Sequence, residues 1–183
     1  MGSGIVLAGG RAVRLGGDKA GALLAGRPLV EHVVEAIRAA RLEPVVVAKA
    51  DTPLPPLDCA TVIEPDLPRH PLCGVLAGLR ATAAPAAVVC PVDMPLVTGE
   101  LLRWLFDLPD PLAVVGVQPL LGRYSGDLIP ALVELLALEP PMREVAARLR
   151  ARIVAEAELE RFGDPARLLL NVNTAAELAR AEG

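Results

Sequence analysis

The sequence predicts an α/β protein in three layers, a doubly wound and mostly parallel sheet with helices on both faces. Three observations point there. Short apolar runs alternate with amphipathic segments over roughly the first 120 residues, the pattern of successive strand–helix–strand units. Such crossovers are almost always right-handed. A glycine- and cation-rich stretch, Leu7-Ala8-Gly9-Gly10-Arg11-Ala12-Val13-Arg14-Leu15-Gly16-Gly17-Asp18-Lys19, directly follows the first apolar run. The 183 residues suit one domain with a sizeable core, yet only four are aromatic, so that core is made of Ala, Val and Leu.

Each element has its own signal. Gly4 to Leu7 is a continuous apolar run and reads as a buried strand. A helix starts near Pro28, where Leu29, Val30, Val33, Val34 and Ile37 recur at helical spacing. His32 falls on its polar, solvated side. Pro44 to Ala48 is a second buried strand, Asp51 to Asp58 a proline-rich loop, and Ala60 to Ile63 a third strand ending at Glu64-Pro65-Asp66. Pro71 to Ala83 reads as a helix, Ala86 to Cys90 as a fourth strand, Leu101 to Phe106 as a short helix and Leu112 to Val117 as a fifth strand. Asp127 to Leu138 and Met142 to Leu149 are helical, and Arg152 to Ala155 and Leu168 to Val172 read as late strands. Thr174 caps a last helix, with Glu177 at the capping-box position.

The chemistry concentrates in a few stretches. Residues 9–19 hold four glycines and three cations, Arg11, Arg14 and Lys19. Glycine lets the backbone approach a ligand closely, and successive N–H groups in such a loop form an anion site. The physical reading is a triphosphate cradle at the carboxyl end of the first strand; the alternative is a surface loop with ordinary cations. Neither G-x-G-x-x-G nor the P-loop is matched, because Lys19 is followed by Ala20 and not by Ser or Thr. A metal would therefore need a carboxylate from elsewhere. Asp93 in Cys90-Pro91-Val92-Asp93-Met94-Pro95 is placed for that, since two prolines fix the backbone around it. Magnesium on a triphosphate takes one or two carboxylates plus phosphate oxygens and waters. The alternative is a turn or capping aspartate. Ligands of doubly wound sheets sit beyond the carboxyl ends of the strands, which puts the 9–19 loop, Asp66 and Asp93 on one rim.

Composition excludes several classes. A net charge of −4 argues against nucleic-acid or anionic-membrane binding. No apolar run approaches the roughly 20 residues of a membrane span. Met1 to Gly4 lacks a basic segment, so no signal peptide is expected. Cys59, Cys73 and Cys90 make neither a zinc spacing nor a disulfide framework and read as reduced, mostly buried thiols, consistent with cytoplasm. Two histidines, His32 and His70, leave little for a His-based metal site.

Leu-Ala-Gly-Gly followed by Arg14 and Gly-Gly-Asp-Lys resembles the signature of nucleotidyltransferases, and within them the molybdenum cofactor guanylyltransferases of the MobA type, whose loop usually carries one more residue before the lysine. Pro-x-Asp-x-Pro around Asp93 resembles their metal-binding aspartate segment. Glu64-Pro65-Asp66 followed by Gly74-Val75-Leu76-Ala77-Gly78 is similar to the stretch in which an aspartate precedes Gly-Pro-Leu-Ala-Gly, with Val75 in place of proline. That implies nucleotide binding for Asp66, which could instead cap the helix at Pro71. Asn171-Val172-Asn173-Thr174-Ala175-Ala176-Glu177-Leu178 resembles Asn-x-Asn-Thr-Pro-Glu-Glu-Leu. Two asparagines at i and i+2 of a strand end point the same way, toward a metal, a phosphate or a pterin edge; alternatively Asn173 and Thr174 only end a strand and start a helix. Two departures stand out: Ala48 takes the position of a usual asparagine, with Lys49 beside it, and Val117-Gln118-Pro119-Leu120 keeps only the end of a Gly-Arg-x-x-Pro-Leu hairpin.

The resemblance runs from Ile5 to Leu178 and implies the Rossmann-like nucleotidyltransferase fold in a single domain, with a nucleotide half at about 1–98 and an acceptor half at about 99–183. The implied reaction is GMP transfer from GTP to the phosphate of the molybdopterin cofactor, with release of pyrophosphate. Arg14, Lys19 and Asp93 are the implied catalytic residues. Leu7, Ala8, Gly9, Gly10, Arg14, Lys19, Asp66 and Asp93 would bind nucleotide, and Asn171 and Asn173 the acceptor. Asp93 would hold Mg2+, with Asn173 as a second candidate ligand. Backbone groups at Leu7 and Ala8 would read the guanine edge, and Gly9 would leave room for its 2-amino group. A monomer is expected, with molybdoenzymes or chaperones receiving the product, and with no nucleic-acid or membrane partner. A cytidylyl or sugar-phosphate enzyme of this fold, or a non-catalytic nucleotide-binding regulator, are the alternatives.

Overall fold

The protein is seen in a computed structural model that describes residues 2–9 and 19–183; Gly10, Arg11 and Arg14 lie outside the described residues. Strand β1 (Ser3–Leu7) is followed by a small hairpin, β2 (Leu23–Leu24) and β3 (Arg27–Pro28), which turns through Ala25 and Gly26 at φ 49° and 79°. Helix α1 (Leu29–Ala39) leads to β4 (Glu43–Ala48) and β5 (Ala60–Ile63), then α2 (Pro71–Ala81), β6 (Ala86–Pro91) and α3 (Gly99–Asp107). Next come β7 (Leu112–Val115), β8 (Gln118–Ser125), α4 (Ile129–Leu136), α5 (Met142–Arg148), β9 (Arg152–Val154), α6 (Pro165–Leu168) and α7 (Ala175–Glu182).

Seven strands form one sheet in the order β5-β4-β1-β6-β8-β7-β9. Strands β5, β4, β1 and β6 pair in parallel, β8 runs antiparallel to both of its neighbours, and β9 is parallel to β7. Alternation along the strands divides the core in two. Val6, Val46, Val88 and Val115 pack with α1 and α3, whereas Ile5, Val47, Val89 and Val114 pack with α2, α4 and α5. Each fully buried aliphatic side chain contributes about 1.5–3 kcal/mol, so these two apolar layers fix where the sheet's carboxyl edge lies. Close approach matters at Gly4, where a Cβ would stand 2.5 Å from Ile37 Cγ2 on α1.

Three expectations are corrected. Strand β8 extends through Ser125, where only a hairpin remnant is expected. Pro119, Gly122 and Arg123 break its apolar alternation, and the register against β7 shifts between Val114 and Val115, a bulge that accommodates the proline. Leu168 to Val172 is not a strand. Asp164 accepts a hydrogen bond from Ala166 N at 3.0 Å and Pro165 sits at the first helical position, so a turn of helix forms and residues 170–173 join no ladder. His32 is not simply solvated: its Nε2 meets Leu24 O at 2.9 Å and ties α1 to the small hairpin. The last helix does begin at the Thr174 cap. Thr174 Oγ1 accepts from Glu177 N at 3.2 Å, and Glu177 Oε2 accepts from Asn173 N at 2.8 Å, one residue before the usual partner of a capping box.

Candidate functional site

A cavity of about 650 Å³ opens at the carboxyl edge of the sheet, lined by residues at the ends of the parallel strands, Leu7, Val47 and Pro91. Asp93 stands two residues past β6. Its backbone is held on both sides: Val92 N donates to Leu7 O at 3.0 Å, extending the ladder, and Val172 N donates to Asp93 O at 2.7 Å. The carboxylate therefore projects from a fixed turn into the cavity. There Lys19 Nζ donates to Asp93 Oδ2 at 2.6 Å, with each side chain 14% exposed. A short, charge-assisted contact of this kind is among the stronger polar pairs a protein makes.

The other end of the cavity has a different character. Lys49, just after β4, donates through Nζ to Pro65 O at 2.9 Å and lies 3.5 Å from Glu64 Oε1. Glu64 extends β5 by one residue, since its N–H donates to Ala48 O at 2.9 Å. Its side chain is 9% exposed. Burial pushes this carboxyl above the usual carboxylate range; the Lys49 ammonium pulls it back, and Asp66 adds to the rise. A Cβ on Gly9 would stand 2.0 Å from Glu64 Oε1, and one on Gly74 would stand 3.0 Å from Glu64 Oε2. The space beside Gly9 is thus filled by a carboxylate oxygen, where sequence reasoning assigned it to a base.

Leu7, Gly9, Lys19, Asp66 and Asp93 all line this cavity. Ala8 is fully buried, packs on the α1 side and donates its N–H to Val47 O at 2.8 Å. Asp66 is exposed and does not cap α2. That role falls to His70, whose Nδ1 accepts from Leu72 N at 3.2 Å while Nε2 donates to Pro140 O at 2.8 Å. Asn171 and Asn173 are half-buried on either side of fully buried Val172, beside Asp93 and not among the described lining residues. Gly10 and Arg14 lie outside the described residues. Glu64 is the site residue that sequence reasoning missed. An acid that closes an edge strand and is followed by proline reads as a loop residue until the pairing to Ala48 brings it inward.

Among the described residues no group of three or more His, Cys, Asp or Glu side chains forms a ready metal cage. A magnesium ion shared with a triphosphate does not require one, since one or two carboxylates suffice, and Asp93 supplies a hard oxygen next to a phosphate-compatible ammonium. The donor set fits a nucleotide-borne metal.

An ammonium and a metal-competent carboxylate, joined at the carboxyl edge of a parallel sheet, are groups suited to nucleotidyl transfer. The chain belongs to the MobA-like NTP transferase domain family, whose model matches residues 4–183. A molybdenum cofactor guanylyltransferase of Cereibacter sphaeroides is 36% identical over 98% of this chain and 94% of its own length. The structure of molybdopterin-guanine dinucleotide biosynthesis protein A from Archaeoglobus fulgidus superposes with a TM-score of 0.79 at 22% identity, covering 98% of this chain and 96% of that one. A Mycobacterium tuberculosis protein in complex with manganese has the same fold, with a TM-score of 0.65 at 16% identity over 98% and 96% of the two chains.

Proposed function

We propose that the protein transfers GMP from GTP to the phosphate of molybdopterin cofactor and releases pyrophosphate. The observation that carries this reading is the meeting of Lys19 and Asp93, 74 residues apart, in one cavity of a chain that matches a guanylyltransferase along nearly its whole length. The reaction is an in-line displacement. An oxygen of the acceptor phosphate forms a bond to the α-phosphorus as the bond from that phosphorus to the bridging oxygen of pyrophosphate breaks. The acceptor is already ionised near neutral pH, so positioning and charge stabilisation count for more than a strong base.

Lys19 leaves Asp93 for the phosphates and meets the charge that builds on the leaving pyrophosphate. Arg14 serves the same phosphates from the loop. Asp93 would hold Mg2+, with Asn173 as a second ligand, and the ion would neutralise triphosphate charge. Asn171 and Asn173, on either side of the Val172 that bonds Asp93 O, would bind the acceptor. Pyrophosphate release from GTP, dependent on added molybdopterin cofactor, tests the reading. Release with CTP in place of GTP would overturn the base, and no release with any nucleotide would overturn the transferase reading. No helix among the described residues is long and apolar enough to cross a membrane.

A further inference from the structure

We propose that Glu64 reads the base, its carboxylate accepting hydrogen bonds from N1–H and the 2-amino group of guanine at the end of the cavity away from Lys19 and Asp93. The inference rests on the GTP reading above and deepens it. The cavity is polarised across the sheet order β5-β4-β1-β6: Lys19 faces Asp93 beyond β6, while on the β4–β5 side three carboxylates, Asp51, Glu64 and Asp66, outnumber two cations, Lys49 and Arg69. A triphosphate is less favoured on that acidic side than beside Lys19, which leaves the base for the acidic side.

There Glu64 is set into the wall between two glycines. Oε1 lies 2.0 Å from where a Gly9 Cβ would be, and Oε2 lies 3.0 Å from where a Gly74 Cβ would be, so any larger residue at Gly9 displaces the carboxylate. Burying an acid is costly unless it is satisfied. Among the described residues its ionic partner is Lys49, at 3.5 Å and also bonded to Pro65 O. A carboxylate has about four lone-pair sites, so among the described residues one ammonium at 3.5 Å leaves acceptor capacity for a ligand.

Guanine presents two adjacent donors, N1–H and the 2-amino group, next to the O6 acceptor. The carboxylate takes the two donors side by side, as it would take the fork of an arginine. Lys49 Nζ, on the same wall, supplies a donor of the kind that O6 accepts. Adenine and cytosine turn lone pairs toward Glu64, and uracil offers one N–H between two carbonyls, so each leaves the buried acid poorly paired.

Calorimetric binding of GTP, ITP and 7-deaza-GTP to the wild-type chain and to Glu64→Gln tests this. ITP lacks the 2-amino group. 7-Deaza-GTP is altered only on the far edge. The wild type should bind GTP at least about tenfold tighter than ITP and bind 7-deaza-GTP as it binds GTP. In Glu64→Gln the GTP-to-ITP ratio should collapse toward one, a change that a purely structural role for Glu64 would not produce. Equal wild-type affinity for GTP and ITP overturns the inference without any variant, as does an unchanged ratio in Glu64→Gln. Wild type that binds CTP and not GTP overturns the guanylyl reading itself, and this inference with it.

Discussion

Replacing Lys19 with methionine should move two affinities in opposite directions. The Lys19 ammonium donates to Asp93 Oδ2 at 2.6 Å, the carboxylate assigned to the metal. A divalent ion arriving alone must break that contact and then sit beside a displaced cation. At an effective dielectric of about 20 the bare attraction at this distance is about 6 kcal/mol, most of which desolvation offsets. Net values for hydrogen bonds to charged groups run about 1.5–3 kcal/mol. Removing the ammonium should therefore raise the affinity of the nucleotide-free protein for Mn2+ by roughly tenfold to a hundredfold. The same change removes a phosphate ligand, so GTP affinity in the presence of metal should fall by at least tenfold. Electron paramagnetic resonance of free Mn2+ reads the first quantity and calorimetry the second. Unchanged or weaker Mn2+ binding in Lys19→Met would refute the idea that Lys19 and the metal compete for Asp93.

Further outcomes follow from the same geometry. Asp93→Asn should cut metal-dependent turnover by at least a hundredfold while thermal unfolding shows a folded protein, measured as pyrophosphate release. Gly122→Ala should cost more than about 3 kcal/mol in urea unfolding, because its Cβ would stand 2.2 Å from Ala113 O and 2.8 Å from Val114 Cα, both backbone; Gly126→Ala, where nothing comes within 3.4 Å, should cost far less. The Glu64 carboxyl is held above its usual value, so its contribution to stability is fully present below the unfolded carboxyl's pKa and is lost as pH rises through the folded one. Glu177 is held low, first by the Asn173 N–H and then by Thr174, so its contribution is present above the unfolded pKa and lost as pH falls through the folded one. Unfolding midpoints of Glu64→Gln and Glu177→Gln against pH should diverge from wild type with these opposite signs. Burial raises the Cys90 thiol, so a disulfide reagent at neutral pH should modify half-buried Cys59 first and reach Cys90 only on unfolding.

The parallel half of the sheet was legible because its strands are buried on both faces and read as unbroken apolar runs, as Pro44 to Ala48 and Ala86 to Cys90 do. Strand β8 was not, because Pro119 and Gly122 carry breaker identities whose compatibility with a strand depends on a bulge and on a neighbour's backbone. Leu168 to Val172 misled for the converse reason: three leucines in a row bury as well from a helical turn as from a strand, and Asp164-Pro165 decided between them. At the site, the flanking prolines singled out Asp93 and the resemblance chose a ligand role for it over a turn or cap, while the resemblance alone pointed to Asp66; both line the cavity. Glu64 was hidden because its significance lies in which glycines face it, and Gly9 and Gly74 are 65 residues apart in the chain.

Strand β8 sits between β6 and β7, although β7 comes first in the chain. Until β8 is in place β7 has no partner through which to join the parallel half, and the outer edge of β6 stays bare. The two-residue turn at Gly116 and Val117 lets β7 and β8 close on each other first, a local event that is fast compared with long-range pairing. The hairpin then docks as a preassembled unit, with β9 added at its outer rim. The strand order thus makes the two halves of the sheet meet where one hairpin joins one exposed strand edge. That edge is also the surface at which a crowded, half-folded population would self-associate.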